Sequence, residues 1–128
     1  MTYIQLFLLI LIVHFLADFA MQTHEQATKK GEGWKVWNKW LFYHVGVYTL
    51  IWGIFYWIVP LDHSVGGWLA FMLVIGIPHY IVDWVTSRLS KPFFKSGDFH
   101  NGFVVVGFDQ VLHYICILWV LSRLVTII

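Results

Sequence analysis

The chain reads as four apolar stretches, each roughly one bilayer long, separated by short polar punctuation. The first covers about residues 2–21 and ends at the run Gln22-Thr23-His24-Glu25-Gln26; the others cover about 37–59, 67–89 and 104–126. A helix of about 20 mostly apolar residues suffices to cross the hydrocarbon core. The pattern therefore predicts an all-α, multi-pass membrane protein: one transmembrane domain over residues 1–128, built as a bundle of four transmembrane helices. Trp37, Trp40 and Tyr43 mark one end of the second stretch and Tyr56 and Trp57 the other, as an aromatic belt at two interfaces would. Residues 103–108 read equally as the start of the fourth helix or as a lead-in to it.

Ionisable residues interrupt this pattern in a regular way. The first stretch carries His14-x-x-x-Asp18, the third His79-x-x-x-Asp83 and the fourth the reverse, Asp109-x-x-x-His113. A spacing of four puts both side chains on one helix face, about 6 Å apart along the axis. Placing such a group in lipid costs on the order of 2.5–3.5 kcal/mol. Random placement of seven histidines and seven acids would give about one such pair, and this chain has three, all within apolar stretches.

Composition fixes the class. Only 12% of residues are charged and 59% are hydrophobic, against roughly 25% charged in ordinary soluble domains. A net charge of +1 without a basic stripe gives no reason to expect nucleic acid. The lone Cys116, inside an apolar stretch, allows no disulfide within one chain and reads as a packing residue. The first stretch lacks a basic lead-in and carries His14 and Asp18, so it is expected to be a retained span, not a cleaved leader.

Loop charge sets an expected orientation. Lys29, Lys30, Lys35 and Lys39 follow the first stretch, and Arg88, Lys91 and Lys95 follow the third; the turn between the second and third has neither Lys nor Arg. The positive-inside rule puts both basic loops in the cytoplasm and both termini outside, with Arg123 as a minor dissent. Each Asp then lies nearer the cytoplasmic rim than its His, and His44 joins them from the second helix. At 1.5 Å per residue all seven groups fall within roughly 6–15 Å of that surface.

Four imidazoles and three carboxylates at one depth form a metal-ligand set: His14, Asp18, His44, His79, Asp83, Asp109 and His113. Nitrogen and oxygen donors without thiols suit a divalent transition metal, zinc foremost, with manganese or iron as alternatives. Seven donors exceed the needs of one catalytic zinc, so they fit two ions or one ion with acid–base partners. The plainer account is that buried His–Asp pairs only hydrogen-bond one another and specify packing. Among the neighbours, Gln22 extends the His14/Asp18 face to the cytoplasmic mouth. Arg88 is placed to meet an anionic group, to pair with an acid, or to snorkel. Gln110 points about 100° from Asp109 and reads as a helix–helix contact. Pro78 is expected to kink the third helix and free a carbonyl. His24, His63, Asp98 and His100 read as solvated loop residues, the last two within reach of the mouth.

The string His14-Phe-Leu-Ala-Asp18-Phe-x-x-Gln22, His44 opening the second helix, His79-x-x-x-Asp83-x-x-x-x-Arg88 and Asp109-Gln110-x-x-His113 resemble a family of small bacterial and phage membrane proteins. That family is catalogued only as a domain of unknown function. The resemblance spans essentially the whole chain and implies a multi-pass protein of the bacterial inner membrane. A looser similarity, through His/Asp motifs in consecutive spans, points to proteins described as membrane-bound metal-dependent hydrolases.

The expected function is metal-dependent hydrolysis of a lipid or other membrane-embedded ester or phosphoester at the cytoplasmic leaflet. Asp18, Asp83, Asp109, Arg88 and Gln22 are the candidates for catalytic roles, and spacing alone does not divide ligands from bases. The alternatives are a proton or metal-ion transporter using the cluster as a relay, a haem- or quinone-binding bundle, and a non-catalytic membrane partner protein. The helix halves beyond the cluster, 3–13 and 45–59, are almost wholly apolar, which speaks against a through-path. Short loops make antiparallel neighbours, and the chain can dimerise with itself.

Overall fold

The computed structural model describes residues 2–59 and 63–124, and among these the regular structure is entirely helical. Helix α1 spans Tyr3–Phe15 and begins at a capping box, in which the Thr2 hydroxyl accepts from the Gln5 amide and the Gln5 side chain accepts from the Thr2 amide. It runs on into a π-helical turn over Leu16–Ala20. Thr23 and Gln26 form a second capping box, which starts the short α2, His24–Lys29. Asn38 caps α3, Lys39–Tyr56. Ser64 caps α4, Val65–Ser96, which ends on Gly97 at φ 79°, a left-handed conformation that glycine adopts at little cost. Asp98, accepting from the Asn101 amide, leads into α5, Phe99–Leu124.

Three of these segments are long and apolar enough to cross a membrane: Tyr3–Ala20, Val65–Ser96 and Phe99–Arg123. The fourth expected span, α3, is 18 residues long and falls short on composition, because Lys39, His44 and its Trp and Tyr side chains lower its mean hydropathy. Two boundaries move. The third helix was expected to stop near residue 89, where charges begin, but α4 continues to Ser96; lysines near a membrane surface do not break a helix. At 1.5 Å per residue its 32 residues span about 48 Å, more than the roughly 30 Å hydrocarbon core. The fourth helix starts at Phe99, so 103–108 is helix and not lead-in. The chain also stays helical through Pro78. Residues 60–62 of the expected turn and 125–126 of the fourth span lie outside the described residues.

Backbone contact runs in a line: α1 with its π turn packs on α3, α3 on α4 and α4 on α5. Among the described residues, no backbone approach closes the ring between the first segment and α5. Side chains close it instead. Toward the end remote from the basic loops they are apolar, with Ile10, Trp52, Phe55, Phe71, Ile117 and Leu121 in one buried cluster. Toward the other end they are His14, Asp18 and Gln110. Ile4, Leu50, Leu73 and Ile115 point outward and exposed, the face a lipid-embedded bundle presents.

Candidate metal centre

All seven predicted donors are buried and converge in one place. The intrahelical pairs are not each other's main partners. His14 and Asp18 are 3.6 Å apart and His79 and Asp83 3.7 Å, whereas the contacts between helices are shorter: His44 Nε2 to Asp18 Oδ1 at 3.0 Å and His113 Nε2 to Asp83 Oδ1 at 3.1 Å. Only Asp109 and His113 pair closely within one helix, at 3.2 Å. The spacing of four thus marks a common face, and the π turn carrying Asp18 aims that carboxylate across to α3. Such turns recur at functional sites.

Four donors form the centre of the cluster. Asp18, His44, His79 and Asp83 each offer an atom, and these atoms all lie within 4.8 Å of one another. His44 Nε2 lies 3.2 Å from Asp83 Oδ2 and 3.2 Å from His79 Nε2, which is 3.5 Å from Asp18 Oδ1. Neighbouring donors around a tetrahedral ion with bonds of about 2.0–2.1 Å are about 3.3 Å apart. Two imidazole nitrogens at this separation repel through their lone pairs unless a proton or cation lies between them. A second grouping, Asp18, Asp109 and His113, shares Asp18 with the first. Carboxylates that face two donor groups at once suit a centre of two ions.

The surrounding hydrogen bonds assign roles that spacing left open. Gln110 donates both amide hydrogens, to Asp18 Oδ2 and Asp109 Oδ2 at 2.9 Å each. Its Oε1 must then accept from His14 Nε2, 2.8 Å away. His14 is therefore a donor at that nitrogen and stands outside both donor groupings, with Tyr48 3.4 Å from its Nδ1. His79 stacks on Tyr48, ring centroids 3.6 Å apart and 9° from parallel. Its Nδ1 pairs with His113 Nδ1 at 3.1 Å. If His79 keeps a lone pair on Nε2 for an ion, its Nδ1–H donates to His113, whose Nε2–H then donates to Asp83 or Asp109. Second partners of this kind orient metal-bound histidines. Thr86 donates to the other Asp109 oxygen. His44 Nδ1 and Gln22 Oε1 are buried without a hydrogen-bond partner among the described residues.

Lys30 was not foreseen. Counted only among the basic residues of the first loop, it turns inward and donates to Asp83 Oδ2 at 2.7 Å, with its ammonium 3.5 Å from His44 Nε2. Burial alone would push its pKa down; Asp83 and Asp18 outweigh that and hold it above the ordinary lysine range. The only sequence cue was Thr23-x-x-Gln26, a capping box that turns the chain back after α1. Gly31 makes the inward turn possible: a Cβ there would sit 2.7 Å from the Ser87 carbonyl oxygen of α4. With the imidazoles neutral, three carboxylates against one ammonium leave two negative charges, which one divalent ion or two imidazole protons would balance. Uncompensated buried charge is strongly unfavourable.

Arg88, for which meeting an anion, pairing with an acid and snorkelling were all open, does not reach the cluster and bonds backbone carbonyls. It donates to the Gly33 and Lys35 carbonyls and to that of Trp84, over whose ring it lies. Tyr80 and Trp84, two turns and one turn earlier on the same face, donate to the Val36 and Lys35 carbonyls. The three side chains clasp residues 33–36 to α4 and so hold the strap that carries Lys30. Arg88→Ala is expected to lose about 1.5–3 kcal/mol, as for hydrogen bonds from a charged donor. Arg88→Lys should not rescue it, because one ammonium cannot span two carbonyls in a fixed fork. Faster proteolytic cleavage within 33–36 in both variants, measured in detergent, checks this. His24, His63, Asp98 and His100 also stay out of the cluster; His63 is not simply solvated, since its Nε2 bonds the Tyr56 and Val59 carbonyls at the end of α3.

A cavity of about 510 Å³ opens onto the cluster between the π turn, α2, α4 and α5. Asp18, Asp83 and Asp109 line it, with Gln22, Lys30 and Gln110 beside them, whereas none of the four imidazoles does. The order inward is therefore cavity, carboxylate, imidazole, as the expected depths implied.

The fold and centre define an all-helical protein with membrane-length helices around a buried His/Asp cluster. The chain belongs to a protein family of unknown function (DUF3307), whose model matches residues 6–127. No curated protein and no solved structure matches it.

Proposed function

We propose that the chain is a four-span protein of the bacterial inner membrane, with its basic loops in the cytoplasm and its termini outside. Its cluster would hold one or two divalent transition-metal ions, zinc foremost, for hydrolysis of a lipid or other membrane-embedded ester or phosphoester at the cytoplasmic leaflet. The observation that carries this reading is the convergence of Asp18, His44, His79 and Asp83 donors within 4.8 Å, with the carboxylate side open to a cavity. A bound ion would polarise the scissile bond and lower the pKa of water toward about 7. Asp109 lies outside the four-donor group, lines the cavity and is held at both oxygens by Thr86, Gln110 and His113. With a single ion in the four-donor group, it would be the carboxylate that takes the proton. Against a relay, the remote half of the bundle is apolar. Against haem, the imidazoles do not face the cavity.

Elemental analysis of detergent-purified wild type, Asp18→Ala and His79→Ala tests this, together with turnover of a phospholipid and lipid-phosphate panel. The expected result is stoichiometric metal in the wild type alone, with hydrolysis that tracks it. A wild type free of transition metal would sink the proposal.

A further inference from the structure

The cavity wall carries more than the metal donors. From the last turns of α4, Lys91 and Lys95 line it, and Lys30 adds a third ammonium. Lys30 is committed to Asp83 at 2.7 Å, whereas Lys91 reaches only the exposed Glu32, at 3.7 Å; Lys95 has no ion pair among the described residues. The three lining carboxylates and three lining ammonium groups balance, so any divalent ion leaves the pocket with net positive charge. The wall between charged ends is apolar, with Phe19 from the π turn, Phe94 from α4 and Val106 from α5. The cavity sits where no backbone contact joins the π turn to α5, so it lies along a seam between membrane-length helices. Beside that seam Phe19 is 40% exposed, a lipid-facing flank and not a sealed wall. Gln22 Oε1, buried and unpartnered at the same cavity, lacks a donor.

We infer that this cavity binds the phosphate headgroup of an anionic membrane lipid, entering sideways between the π turn and α5. Lys91 and Lys95 take the phosphate oxygens, a protonated oxygen of the phosphate monoester donates to Gln22, and the acyl chains leave past Phe19 and Val106. The inference deepens the proposed hydrolase reading by naming its substrate class, and it rests on that reading for the positive charge of the loaded centre. A free phosphate would meet the same lysines but gain nothing from the apolar seam; arrival from the leaflet separates the two sources.

The test uses the full chain in phosphatidylcholine nanodiscs, with metal content measured on the same samples. Binding is titrated with a phosphatidic acid, with glycerol phosphate and with inorganic phosphate. Phosphatidic acid should bind selectively, and Lys91→Gln/Lys95→Gln should weaken it about thirtyfold, the combined effect of two lysines at an anionic lipid surface. Lys39→Gln, at the first residue of α3 and outside the cavity lining, with its ammonium over the Trp40 ring, should leave binding unchanged and so controls for bulk surface charge. Equal weakening in Lys39→Gln overturns the inference, as does inorganic phosphate binding as tightly as the lipid. Metal bound without lipid selectivity refutes this inference alone. Lipid selectivity without metal upholds the lipid site and refutes the hydrolase reading. Helical content of each variant, read by circular dichroism, separates lost binding from lost fold, and Lys91→Arg/Lys95→Arg should restore binding.

Discussion

Asp83→Ala should be the most damaging single substitution in the cluster. In chelator-treated protein it is expected to lower stability by about 3–5 kcal/mol, the usual cost of removing one partner from a buried ion pair. Asp83 is 1% exposed and serves Lys30, His44 and His113 at once. Its removal strands the Lys30 ammonium and leaves His44 and His113 with Asp18 and Asp109 as their close carboxylate partners. Lys30→Met in the same background should recover a large part of the loss, because it removes the stranded cation. A double-mutant cycle by thermal unfolding in detergent measures that coupling; strictly additive losses would show that the 2.7 Å contact carries no energy. The sign of the pH effect follows from the raised Lys30 pKa. Its contribution is complete below the unfolded lysine value and fades only as pH rises through the higher folded one. The pair should therefore be indifferent to pH across the neutral range and weaken in strong alkali.

Metal should distinguish histidines that the sequence treats alike. With zinc at a thousandfold excess over its dissociation constant, the wild type should gain about 4 kcal/mol, seen as a raised unfolding midpoint that a chelator reverses. His79→Ala should lose that response altogether. His14→Ala should be less stable than the wild type yet keep most of the response, because His14 donates to Gln110 and belongs to neither donor grouping. Equal loss of response in the two variants would mean that His14 is a ligand and that the Gln110 network has been assigned the wrong way round.

The contrast between these residues shows how much of the centre was legible in the chain. Helical periodicity placed His14, Asp18, His79, Asp83, Asp109 and His113 on inward faces, and loop charge placed His44 at their level; all seven meet. Periodicity speaks only of faces. It could not say that Asp18 turns to His44 instead of His14, because that depends on the π turn over Leu16–Ala20, which no spacing announces. Gln110, read as a helix–helix contact, is one, since it joins α5 to His14 and Asp18; its long side chain also spans the 100° to Asp109, which a regular helix does not announce. Lys30 and Arg88 were exchanged for a similar reason. A cation in an apolar helix looks functional and a cation in a loop looks solvated, but here the helical one fastens the loop and the loop one enters the site. Tertiary contacts across dozens of residues of sequence decide such cases, and one sequence does not display them.

The widened turn at Leu16–Ala20 also makes the chain's length a constraint at this point. Removing one residue there would let the segment relax into regular α-helix, still apolar and still long enough to cross a bilayer. Because a π turn holds about one residue more than the α turn it would become, the helix on either side would keep its facing, and the change would fall on the turn itself. Ile10 and His14 would stay on their inward face, while Asp18 would lose the widened backbone that aims it at His44. The strap over residues 32–38, by contrast, is largely exposed and fastened through backbone carbonyls, so it should accept changes of sequence more readily. Insertions and deletions in natural or engineered variants should therefore collect in the strap and avoid this one turn.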